Sequence, residues 1–249
     1  MTGGAKRVGK AICEHLASEG YSVLVHYRNS RYEAVATRDA CIALGASVAE
    51  VIHCDLSDPQ QRSTLIARAV DSVGCVDLLV NSASMFEYDT ADSFGACVWD
   101  AHLQSNYIAP VELTMELYRW RATFGGTDKA HVVTVLDQKI LNLNTDYMSY
   151  TLSKLASQSS IRYLAQCCAT HLRVNAVAPG VTMISGDMNE QDFKQAHGIA
   201  ALGSSNTPED IARTIVMLDQ LQAVTGQTIA VDGGQHLVPR ARDVAFKDK

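Results

Sequence analysis

Short apolar runs alternate along this chain with longer stretches in which apolar residues return every three or four positions. Val8, Ile12 and Leu16 recur every fourth residue, marking one face of a helix that Gly20 ends. Residues 21–27 read as a strand, residues 31–44 as a helix stopped by Gly45, and residues 47–53 as a second strand. Asp58, Pro59 and Gln61 then fall at the N-cap, first-turn and capping-box positions of another helix. Four further apolar runs, 76–80, 132–136, 172–178 and 228–231, read as strands, with helical stretches at 99–120, 147–169 and 208–218. Strands apolar at nearly every position, alternating with helices, predict a parallel sheet covered on both faces. This is a doubly wound α/β fold, whose ligands lie beyond the carboxyl ends of the strands.

The glycine-rich segment Thr2-Gly3-Gly4-Ala5-Lys6-Arg7-Val8-Gly9 runs straight into the first helix with no strand before it. In a dinucleotide-binding unit a central strand precedes that turn. The first strand is therefore expected to be absent or truncated.

Composition narrows the class. With 249 residues, 47% hydrophobic and 19% charged, the chain reads as one well-cored domain spanning residues 1–249. The net charge of −6 offers no basic footprint for nucleic acid or anionic lipid. No apolar run approaches the roughly eighteen residues of a membrane span. Seven cysteines without a CxxC pair argue against a disulfide framework, and eight histidines show no metal-ligand spacing. With no leader of charged then apolar residues, the expected location is cytoplasmic and no metal is expected.

The glycine loop lets backbone approach a pyrophosphate, whose charge the following helix N-terminus meets. A NAD-binding domain then offers an acid to the ribose about twenty residues on. Here the strand ends in Tyr27-Arg28-Asn29-Ser30, with no acid before Glu33. A guanidinium beside hydroxyl and amide donors suits a 2′-phosphate, which favours NADP(H); a solvated surface arginine is the plainer alternative. Asp55-Leu56, closing the next strand, fits either an adenine contact or a turn.

Tyr150 and Lys154 lie one helical turn apart on the same face. A cation beside a phenol lowers its pKa toward working pH and makes it a usable proton donor. Chance supplies roughly 0.3 such pairs in a chain of this composition, so company matters. Asn81-Ser82-Ala83-Ser84 follows the 76–80 strand, Asp137 ends the 132–136 strand, Asn106 lies on the next helix, and Pro179-Gly180 breaks the chain after 172–178.

These pieces, with Asn175 and the closing Thr225-Gly226 and Val231-Asp232-Gly233-Gly234, resemble the short-chain dehydrogenase/reductase family over nearly the whole chain. The resemblance implies a Rossmann-type subunit holding a nicotinamide cofactor with Thr2, Gly3, Lys6, Arg7, Val8, Gly9, Asn81, Pro179, Gly180 and Val181 among its contacts. It implies Tyr150 as acid, Lys154 holding the ribose, and Asn106 serving a proton relay behind the lysine. Three departures are informative: Arg7 replaces a glycine, Asn81-Ser82-Ala83-Ser84 replaces Asn-Asn-Ala-Gly, and Asp137 replaces the usual serine. All three resemble the pteridine reductase branch, including dihydromonapterin reductases. That branch implies contacts from Arg7 and Ser84 to cofactor phosphate and substrate, a pterin ring stacked on Phe86, and Asp137 paired with Tyr150. A carboxylate also suits a ring carrying nitrogens and an amino group better than a serine hydroxyl does.

The alternatives are a reductase of ketones or 3-oxoacyl thioesters, and a non-catalytic NADP-binding scaffold. A homotetramer on the 99–120 and 147–169 helices is implied by the family. Trp99 and Trp120 read as packing or interface residues, 125–127 as a surface turn, 181–205 as a substrate lid, and 239–249 as a polar, frayed tail.

Overall fold

The computed structural model describes residues 1–125, 128–185 and 188–246. Gly126 and Thr127 of the expected turn, and Gly186 of the expected lid, lie outside the described residues.

The alternation seen in the sequence becomes α1 (Arg7–Ser18), β1 (Val23–Tyr27), α2 (Arg31–Ala43), β2 (Ala49–His53), α3 (Pro59–Arg62), α4 (Leu65–Val73) and β3 (Leu78–Asn81). It continues with α5 (Ala96–Leu103), α6 (Ala109–Phe124), β4 (Ala130–Val135), α7 (Met148–Cys167), β5 (Leu172–Pro179), α8 (Glu190–His197), α9 (Pro208–Gln220) and β6 (Thr228–Val231). Every strand pairing is parallel, in the orders β1–β2 and β3–β4–β5–β6. Strand β5 is buried at all eight positions, as a strand covered on both faces must be.

The centre differs from one continuous sheet. Residues 1–4 stand between β1 and β3: Met1 N donates to Leu24 O, His26 N to Met1 O, and Thr2 N to Val80 O. Only this short stretch bridges the gap, so the hydrogen-bond ladder breaks into two sheets. Beside it a cavity of about 380 Å³ lies between Leu24 and Leu78. Among the described residues no strand is formed ahead of the glycine loop.

Two apolar clusters cover the sheets. One packs α4, α6 and α7 residues such as Ile66, Leu113, Leu117 and Ile161 on Val132 and Val174. The other packs Ile12, Leu16, Ile211 and Ile215 of α1 and α9 on Val25, Val133 and Val177. All seven cysteines are free thiols. No helix among the described residues is long and apolar enough to cross a membrane.

Three expectations need correction. The 99–120 helix is interrupted by a π-helical turn at Gln104–Ile108. Pro110 has no N–H for the Asn106 carbonyl, and the turn widens there. Asp58 does cap, accepting from Gln60 N and Gln61 N, but the capping box does not close. The Gln61 amide instead donates to the Asp58 side chain and accepts from Asp55 N, and α3 lasts only four residues. The tail from residue 239 is also not frayed through 246. Arg242 and Asp243 ion-pair with Asp146 and Lys139, which are both buried.

Candidate active site

The first part of the site is a cavity of about 550 Å³ at the carboxyl ends of β1, β2 and β3. Gly3, Lys6, Arg7, Val8 and Gly9 of the glycine loop line it, facing Arg28 after β1, Asp55 and Leu56 after β2, and Ser82, Ala83 and Ser84 after β3. The loop is held tightly. A Cβ on Gly9 would stand 2.0 Å from Gly3 O, and one on Gly3 would stand 2.9 Å from Ala83 Cα. His26, which sequence reasoning missed, is the post beneath it. Its Nδ1 accepts from Gly3 N at 3.0 Å, so its Nε2 donates to Cys54 O. Burial pushes this imidazole down to about 4, which keeps it neutral.

The donor set fits a nicotinamide dinucleotide phosphate. The α1 N-terminus has no side-chain cap and no acid in its first turn, leaving its N–H groups for an anion. Lys6 and Arg7 add positive charge there. The nearby acids are already engaged: Asp55 accepts from Ser57 N and Oγ, and Glu33 pairs with Lys6. Arg28 makes no hydrogen bond or ion pair among the described residues, so its guanidinium remains for a phosphate. The Asn81 amide, buried at the end of β3, has both polar atoms without a partner.

Other sequence candidates do not reach this wall. Thr2 is buried and structural, its Oγ1 accepting from Ser82 N and Ala83 N. Tyr27 leans against the His53 ring. Asn29 and Ser30 lie outside the cavity, and Ser30 precedes α2 without a capping side-chain bond.

The second part is a cavity of about 430 Å³ that shares Arg7, Val8, Ser82 and Ser84 with the first. Arg7 has φ +55°, so the left-handed turn places it between the two. Pro179, Gly180 and Val181 form one side of the second cavity, and Phe86, Asp137, Tyr150 and Lys154 another. Tyr150 OH donates to Asp137 Oδ2 at 2.7 Å. Lys154 Nζ donates to Val135 O at 2.9 Å and lies 5.5 Å from the Tyr150 ring centroid. Phe86 stacks on Tyr147 at 4.2 Å and meets Tyr150 edge-on at 4.7 Å.

The electrostatics overturn one expectation. Tyr150 is not lowered but raised well above the ordinary tyrosine value, first by burial and then by the Asp137 charge and hydrogen bond. Burial also raises Asp137 and pushes Lys154 down to about 8. Ligand-free, the phenol therefore keeps its proton and the lysine is the group poised near neutral pH.

Asn106 does not touch Lys154 directly. Its Oδ1 accepts from Met85 N and Ser84 Oγ, and its Nδ2 donates to Met85 O and Ser153 Oγ. It clamps the Ser84–Met85 backbone, and the π-turn sets it at that height. His102 supports the same loop, Nε2 accepting from Glu87 N. Sequence reasoning also missed Asp243, Val244 and Ala245, which line the second cavity from the chain's far end with no motif to signal them.

Comparison with known proteins agrees with this geometry. A family model described as enoyl-(acyl carrier protein) reductase matches residues 3–236. The chain belongs to the short-chain dehydrogenase/reductase family. Pteridine reductase 1 of Leishmania tarentolae is 30% identical over 279 residues, covering 95% of each chain. The structure of FolM alternative dihydrofolate reductase 1 from Brucella suis in complex with NADP is 36% identical, with TM-score 0.89 over 95% of this chain and 93% of that one. The 3-oxoacyl-[acyl-carrier-protein] reductase FabG of Staphylococcus aureus is 28% identical, covering 95% of this chain and 97% of its own. Within this family the chain carries an acid at position 137, hydrogen-bonded to the tyrosine.

Proposed function

We propose that this chain is an NADPH-dependent reductase of a pteridine-type ring, a dihydropterin or dihydrofolate-like substrate. The observation that carries the reading is the Tyr150–Asp137 hydrogen bond at the wall of a cavity flanked by Phe86. The similarity to the Leishmania pteridine reductase and the NADP-complexed Brucella reductase supports it. The glycine loop, Arg28, Asn81, Tyr150 and Lys154 would hold NADPH, which when bound would supply the hydride for a C=N carbon. Phe86 offers an apolar face for a flat ring. Tyr150 gives its proton to the adjacent ring nitrogen, and Lys154 stabilises the phenolate left behind. Asp137, which accepts from the Tyr150 hydroxyl, is placed to keep the phenol oriented and to accept from ring N–H groups. Arg7 and Ser84 would contact cofactor phosphate and substrate at the junction of the two cavities.

Reduction of a 3-oxoacyl thioester is the second reading, favoured by the similarity to the Staphylococcus aureus reductase. The two are separated by following NADPH oxidation with a dihydropterin and with a ketone and thioester panel, NADH as control. Tyr150→Phe is expected to lose about 10²–10⁴-fold in turnover while still binding NADPH. Asp137→Ser is expected to abolish pterin turnover. Full pterin activity in either variant sinks the mechanism.

The reading extends to a cytoplasmic homotetramer. Seven free thiols suit a reducing compartment, and Phe124 and Tyr163 leave apolar rings exposed on α6 and α7 for subunit contacts.

A further inference from the structure

The chain's last described residues are pinned into the substrate cavity rather than trailing from it. Arg242 Nε and Nη2 each donate to Asp146 at 2.8 Å, and Asp243 N donates to the same carboxylate. Asp146 is buried, and the arginine bonds overcome the effect of burial to hold its carboxyl below the ordinary range. One residue on, Asp243 Oδ2 accepts from Lys139 Nζ at 2.8 Å, and the same ammonium donates to Asn144 Oδ1. Lys139 is 2% exposed, so its charge is compensated almost wholly by Asp243. Asp243, Val244 and Ala245 then line the same cavity as Phe86 and Asp137.

The clasp is also continuous with the aromatic platform. Lys139 Nζ sits 5.6 Å from the Tyr147 ring, which stacks on Phe86, and Phe246 meets both Tyr88 and Tyr147. Tyr147 holds φ +55° immediately before α7, three residues ahead of Tyr150. Such a strained tyrosine persists only where its surroundings over-determine it.

We propose that residues 242–246 form a strap closing the substrate cavity, with Lys139 and Asp243 as positioning residues that seat the ring between the strap and Phe86. The proposal rests on the assignment of the Phe86–Asp137–Tyr150 cavity to substrate. Opening the clasp leaves an ammonium buried without its partner and removes the backing of Tyr147 and Phe86. Substrate affinity then falls, while the dinucleotide cavity, which the strap does not touch, is unaffected.

The test is Asp243→Asn in the full chain, with steady-state kinetics on a dihydropterin, NADPH affinity by fluorescence, and the rate of tryptic cleavage after Arg240. The expected result is a KM raised about tenfold with NADPH Kd within twofold, and faster cleavage. Asp243→Glu keeps the charge and is expected to restore both KM and protection. An unchanged KM or an unchanged cleavage rate in Asp243→Asn overturns the proposal. If the wild type reduces only 3-oxoacyl thioesters, the pteridine reading fails, and the strap is judged by the same comparison on the thioester.

Discussion

Burial pushes Asp137, Tyr150 and Lys154, which line one cavity, each toward its neutral form. Lys154 falls to about 8 because its ammonium is desolvated, with the Asp137 charge opposing that fall. Its folded value lies below the ordinary 10.5, so the protonated lysine costs the fold most below about 8, a cost that fades toward 10.5. The residue does not serve stability. With the protonated lysine required, kcat/KM should decline above about pH 8. In Asp137→Asn the carboxylate that holds the lysine's proton is gone, and the limb should move to lower pH. A limb that stays in place would show that Asp137 and Lys154 are uncoupled. The spacing of Tyr150, Lys154 and Asp137 was legible in the sequence. So were the opposed pulls of Lys154 and Asp137 on the phenol; which of them prevails was not, because burial, the largest cause, depends on what packs around the ring.

At the level of elements, the glycine loop depends on a histidine outside it. The Nδ1 of His26 can accept from Gly3 N only while the ring is neutral. Its folded value of about 4 lies below the ordinary 6.5. The stability this group contributes is full above 6.5 and is lost as pH falls through about 4, on the order of 3 kcal/mol. Urea unfolding between pH 7 and 4 should show that slope, and His26→Gln should flatten it. Equal slopes in the two proteins would remove His26 from this role. The loop's glycines and the helix after it could be read directly. His26 could not, since its partners Gly3 and Cys54 lie 23 and 28 positions away.

For the whole molecule, one carboxylate ties the two sheets together. Asp219 of α9 accepts from Tyr21 OH at 2.6 Å, just before β1, and from His131 Nδ1 of β4 at 3.1 Å, with Arg173 of β5 at 3.5 Å. Burial would raise Asp219, but the His131 and Tyr21 bonds and the Arg173 charge hold it below the ordinary carboxylate range. Asp219→Ala leaves the buried Arg173 charge without its carboxylate and should cost about 3 kcal/mol. At 2–4 °C per kcal/mol, that is a drop in Tm of roughly 6–12 °C by calorimetry. A drop under about 1 °C would make the cluster dispensable.

The order of strands and helices, the parallel pairing and the family motifs were determined by the sequence itself, because hydrophobic period, glycine placement and local spacing act over a few residues. Tyr150 and Arg28 could be named on the same grounds, and Phe86 and Asp137 through the family resemblance. Tertiary structure alone decided that Asp243, Val244 and Ala245 line the cavity of Tyr150, that Asn106 clamps a loop, and that His26 and Asp219 hold distant segments. Each of these is a contact between positions far apart in the chain, made only when the sheets and helices have packed. Burial likewise belongs to the packed molecule, and it set the proton affinities of Tyr150, Asp137 and Lys154.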